Sequence, residues 1–150
     1  MRFETNLPCD YTRELMGMPP FDRQGNLTQR VLCGLENSLY LYSSLSKKYA
    51  KDTENNSKNF LVKGIMLVGS GAKNNEVLSD LDILLLCPDI DEKSAGVLKH
   101  MISYVLFCDR DKNEAVDVFI RPKDKYPERS SVNITSQVNA LIERYNNNLR

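Results

Sequence analysis

Apolar and polar positions alternate with clear periods along much of the chain, and each period predicts an element. Leu32, Leu35, Leu39, Tyr42 and Tyr49 recur at steps of three, four and seven, the stripe of one helix face, which predicts a helix over about 28–50 capped by Asn26 or Thr28. Phe60 to Val68 is apolar and β-rich apart from Lys63 and Gly64, and it halts at Gly69-Ser70-Gly71, so a strand runs into a glycine turn. Asp80 to Cys87 reads as a second strand ending at Pro88. Leu81, Ile83 and Leu85 line one of its faces while Leu84 and Leu86 follow the acids on the other, and apolar residues on both faces predict a central strand.

Further on, Val97, Leu98, Met101 and Ile102 predict a helix over 92–103. Tyr104–Cys108 and Ala115–Ile120 flank the turn-prone run Asp109–Asn113, a pattern that predicts a β-hairpin. The chain closes with an amphipathic helix over 134–149 bearing Val138, Leu141, Ile142 and Tyr145. Between these elements lie a polar loop at 51–59 and a segment broken by Pro122 and Pro127, and no internal repeat is present. Residues 1–26, with Pro8, Gly17, Pro19, Pro20 and Gly25 and no sustained period, read as an irregular N-terminal arm; 27–150 reads as one α/β domain. A length of 150 residues suits about one domain.

Composition narrows this picture mainly by exclusion. Twenty basic residues balance twenty acidic ones, so no global field draws the chain to nucleic acid or anionic lipid. The hydrophobic fraction is 41%, and no apolar run approaches the roughly 20 residues that span a bilayer. The first ten residues lack the apolar segment of a secretory signal, and a soluble, cytoplasmic protein is expected. Cys9, Cys33, Cys87 and Cys108 are widely spaced and His100 is the one histidine, which argues against a zinc site and a disulfide framework and for reduced thiols. His100, Cys87 and Cys108 sit in apolar segments and are assigned no catalytic role.

Chemistry concentrates elsewhere. Asp80 and Asp82 are two apart on a strand, so both carboxylates point to one side while Leu81 points to the other. Neighbouring carboxylates repel unless a cation neutralises them. Hard oxygen ligands favour magnesium, which is commonly shared between protein carboxylates and substrate phosphates. Gly69-Ser70-Gly71 supplies a complementary half: glycines let backbone amides approach phosphate oxygens, the Ser70 hydroxyl donates to one, and Lys73 adds charge nearby. Alone, a Gly-Ser-Gly turn is more often than not an ordinary loop after a strand, and Asp-Leu-Asp alone fits a surface strand start.

Together they are more specific. Val68-Gly69-Ser70, an eight-residue connection, then Ser79-Asp80-Leu81-Asp82-Ile83-Leu84 opening an apolar strand resembles the DNA polymerase beta-like nucleotidyltransferase superfamily, over about residues 60–121. That family carries a third carboxylate on a later strand, and Asp117 within Ala115-Val116-Asp117-Val118-Phe119-Ile120 matches it, with Glu114 as the substitute. An acid in an apolar strand is costly to bury without a partner; the bland alternative is an edge-strand carboxylate facing water or a lysine.

The resemblance implies a nucleotidyltransferase fold, a short mixed β-sheet carrying the acidic triad and backed by helices. It implies two magnesium ions, replaceable by manganese, held by Asp80, Asp82 and Asp117. It implies a nucleoside triphosphate gripped by Gly69, Ser70, Gly71, Lys73 and Ser79, and transfer of its nucleoside monophosphate to a hydroxyl with loss of pyrophosphate. The acceptor is left open among an RNA or DNA end, a protein hydroxyl and a small molecule. Arg121, Lys123, Lys125 and Arg129 read either as a basic lip for a nucleic-acid backbone or as a solvated loop with Asp124 and Glu128. The small size implies a homo-oligomer or a helical partner subunit, as in two-gene modules. The competing reading is a catalytically weak nucleotide-binding or regulatory subunit, because Asn74 follows Lys73 where family members often carry glycine.

Overall fold

The computed structural model describes residues 7–69, 81–108, 116–122 and 131–150. They form a mixed α/β fold around a four-stranded sheet: β1 (Gly64–Val68), β2 (Leu81–Leu86), β3 (Val116–Arg121) and β4 (Ser131–Asn133), in the spatial order β3-β2-β1-β4. As the apolar residues on both its faces predict, β2 is central. It runs antiparallel to β1, whose other neighbour β4 is also antiparallel, and parallel to β3.

The parallel pair corrects the expected hairpin. Residues 104–108 do not form a strand; they complete a helix, which we label α3 (Glu92–Cys108), so that β2, α3 and β3 make a crossover unit. Parallel neighbours require such a connection, whereas a hairpin makes antiparallel ones. Leu98, Ile102, Val105 and Leu106 explain the choice, because they continue at helical spacing and are all buried. The start of α3 is fixed by Asp91, whose Oδ1 accepts from the Ser94 amide at 2.6 Å and whose Oδ2 accepts from the Ser94 hydroxyl at 3.1 Å. Those bonds hold the Asp91 carboxyl below its ordinary value.

The remaining helices are α1 (Arg13–Met16), α2 (Gln29–Asp52) and α4 (Asn139–Asn146). On α2, Leu35, Leu39 and Tyr42 of the expected stripe are buried, and Leu32 and Tyr49 pack half-buried at its margins. Gly34 brings α2 close to the sheet: a Cβ there would stand 2.7 Å from Leu81 Cδ2 and 3.7 Å from Ile83 Cδ1. Two expected elements are shorter. Before β1 the chain makes a 3₁₀ turn at Ser57–Phe60, and the Val62 amide and carbonyl are both satisfied by the Asn146 side chain, at 2.9 and 2.8 Å, so the ladder starts only at Gly64. Likewise, 134–138 forms a 3₁₀ turn at Thr135–Gln137 before α4, since the Thr135 hydroxyl accepts from the Ile65 amide at 3.0 Å. Among the described residues no helix is long and apolar enough to cross a membrane.

The N-terminal segment packs on α2 through specific contacts. Tyr11 is 1% exposed, its hydroxyl accepts from Arg30 Nε at 3.0 Å, and Arg30 also donates to the Met18 carbonyl at 3.1 Å. Asn37 pairs with the Cys9 backbone in both directions, accepting at 3.0 Å and donating at 2.9 Å. Cys9 and Cys33 are joined in a disulfide, which corrects the expectation of four reduced thiols. Segment 7–12 folds back along α2 and brings two cysteines 24 positions apart into contact, a proximity their sequence spacing does not encode.

Candidate active site

Strand alternation divides the sheet into two unlike faces. Ile65, Leu67, Leu81, Ile83, Leu85, Val116, Val118 and Ile120 share the face that builds the core, and each is at most 8% exposed. The opposite face carries Val68, Asp82 and Asp117 at one edge of the sheet. Asp82 is the second residue of β2 and Asp117 the second of β3, and the parallel register sets them side by side. Adjacent strands lie about 4.8 Å apart, so the two carboxylates share one small region of surface. Both residues are half-buried.

Gly69 completes this edge from the other side. Val68 is the register partner of Asp82, so the residue after it leaves β1 directly beside the acid. Gly69 has φ of +74°, in the left-handed region, and any Cβ at this position would overlap Asp82 Oδ2. Glycine is therefore required twice here, by backbone conformation and by the closeness of the carboxylate.

Lys99, on α3, is the cationic neighbour of the pair. Its Nζ lies 3.8 Å from Asp117 Oδ1 and 4.6 Å from the ring centroid of Phe119, the next residue on the same face of β3. Arg121, one more step along that face, stands 5.9 Å from the same ring, at the end of β3 remote from the acids. Lys99 and Phe119 were not singled out by sequence. The signal existed only in combination: a lysine beside the buried stripe of a helix matters once that helix is known to pack on the strand bearing the acid.

Of the expected site residues, the structure brings together Asp82, Asp117 and Gly69. Ser70, Gly71, Lys73, Ser79 and Asp80 lie outside the described residues, as do Asn74, Glu114, Lys123, Lys125 and Arg129. Among the described residues no three or more His, Cys, Asp or Glu side chains form a metal-binding group. Two carboxylates at one strand spacing are nonetheless a donor set that suits a hard divalent cation. Elsewhere, Cys87 is fully buried, and burial pushes its thiol up to about 12, which removes it as a nucleophile. His100 is exposed on α3.

A separate concavity of about 420 Å³ lies on the acid-bearing face toward the opposite edge of the sheet, lined by Lys63, Gly64, Met66, Leu86, Asn133 and Thr135. No protein-family model, no curated protein and no solved structure matches this chain.

Proposed function

We propose that this chain is a magnesium-dependent nucleotidyltransferase of the DNA polymerase beta-like type, with residues 27–150 as its catalytic domain. It moves a nucleoside monophosphate from a nucleoside triphosphate to an acceptor hydroxyl. The observation that carries the reading is the side-by-side register of Asp82 and Asp117 with the obligatory glycine at position 69 against Asp82. Lys99, 3.8 Å from Asp117, balances one of the two acids, and a divalent cation between them would balance both.

In this proposal Asp80 and Asp82 would hold both magnesium ions, and Asp117 would complete the acceptor-side ion and help remove the proton of the attacking hydroxyl. When bound, two magnesium ions, or manganese in their place, supply charge neutralisation for the leaving pyrophosphate and acidify the acceptor hydroxyl. The Gly69 turn with Ser70, Gly71, Lys73 and Ser79 orients the phosphates by backbone amides, hydroxyls and an ammonium. The acceptor is a nucleic-acid end, a protein hydroxyl or a small molecule, and the chain works as a homo-oligomer or with a helical partner subunit. Asn74 supports a second reading, a nucleotide-binding regulatory subunit with little transfer activity.

Incubation with α-phosphate-labelled nucleotides and magnesium, against RNA, DNA, protein and small hydroxyl acceptors, tests both. Magnesium-dependent labelling that disappears in Asp82→Asn and Asp117→Asn is the expected result. Triphosphate binding without any transfer selects the regulatory reading, and the absence of both rejects the site altogether.

A further inference from the structure

Two positions near the acids can receive the ammonium of Lys99, and they are unequal in kind. One is the Asp117 carboxylate at 3.8 Å; the other is the Phe119 ring at 4.6 Å. The lysine side chain is 33% exposed and that of Asp117 47%, so neither is locked in the interior, and the pair opens without unfolding its surroundings. α3 and β3 pack directly on one another, which fixes the origin of the lysine stem.

Resting on the proposal that Asp82 and Asp117 hold a divalent cation, we infer that Lys99 is a positioning residue that competes with that cation for Asp117. In the metal-poor protein the ammonium balances Asp117 and lowers its repulsion with Asp82, keeping the two acids side by side. For Asp117 to offer both carboxylate oxygens to a metal, the ion pair must open. The Phe119 ring then retains the displaced ammonium through its negative face, next to the loaded site instead of in bulk water. Lys99 thus raises the metal concentration at which the acceptor side is filled, and it biases the site toward loading only when another ligand, such as a triphosphate, brings its own metal-binding oxygens.

Manganese chloride alone, titrated into the 150-residue chain with free Mn²⁺ read by its electron paramagnetic resonance signal, tests the inference without reference to activity. Lys99→Met is expected to bind Mn²⁺ about two- to fivefold more tightly than the native chain, the range that an exposed ion pair contributes. Lys99→Arg retains native affinity, because the charge is kept. In an Asp117→Asn background Lys99→Met has no effect, since the competition has nothing left to act on. Equal or weaker Mn²⁺ binding by Lys99→Met, or an effect that persists without Asp117, overturns the inference while Asp82-dependent binding leaves the metal site standing. If no chain shows binding that Asp82→Asn abolishes, the metal-site reading itself falls, and the inference with it.

Discussion

The two faces of β2 are made from one six-residue strand and have opposite physical purposes. Leu81, Ile83 and Leu85 are at most 2% exposed and are held by α2 and the rest of the core. One residue out of phase, Asp82 faces the other way and stands between Gly69 and Asp117. Alternation lets the sheet fix a carboxylate to within a fraction of a strand spacing by anchoring its neighbours in hydrocarbon. Rigidity is generated on one side and used on the other. The comparison teaches that substitutions on the two faces should separate stability from chemistry.

The largest effect is expected on the core side. Ile83→Ala removes a completely buried side chain and should cost about 2–5 kcal/mol of folding stability, read from urea unfolding midpoints. Asp82→Asn is the opposite case: its unfolding midpoint should stay near native, or rise as repulsion with Asp117 is relieved, while the proposed nucleotidyl transfer should fall roughly a hundredfold or more, about 2.7 kcal/mol of barrier. If Asp82→Asn unfolds the chain, or Ile83→Ala leaves stability intact, the division between faces is wrong. Gly69→Ala sits on the boundary and should affect both: left-handed backbone adds about 1–2 kcal/mol of strain, and the new Cβ displaces the Asp82 carboxylate, so transfer falls as well. Smallest is Asp91→Ala, remote from both faces, which removes a helix cap worth about 1 kcal/mol at neutral pH. Because the folded state lowers this carboxyl, the contribution of Asp91 is complete above its unfolded value of about 3.9 and fades as pH falls through the folded one. Melts from pH 7 downward should therefore show the native chain and Asp91→Ala converging in acid, with transfer activity at pH 7 unchanged.

How legible these features were in the sequence depends on how far apart the interacting residues lie. The face assignment within β2 follows from period two alone and needs no partner, and the long stripe of α2 is similarly self-sufficient. The stretch 104–108 was ambiguous because five apolar residues fit a strand or a helix end equally well; what decides is whether Val105 and Leu106 extend the stripe of Leu98 and Ile102. That single choice turns an antiparallel expectation into a parallel one. The side-by-side placement of Asp82 and Asp117 depends on it and was therefore not readable from spacing. Gly69 was legible as a turn residue, but its contact with Asp82 arises from the β1–β2 register, a property of two strands together. The Cys9–Cys33 bond and the Lys99–Asp117 pair are likewise tertiary facts, created by docking of the arm on α2 and of α3 on β3.

The direction of the crossover has an electrical consequence. α3 starts after the carboxyl end of β2, at Asp91, and finishes on the way to the amino end of β3, where Asp117 sits. Its backbone dipoles therefore point their positive pole away from the acids and their negative pole toward that edge. In doubly wound sheets an anion is received at the amino end of such a helix, beyond the carboxyl ends of the strands. Here the acids occupy the amino ends of two parallel strands, so the amino end of α3 does not face this end of the sheet.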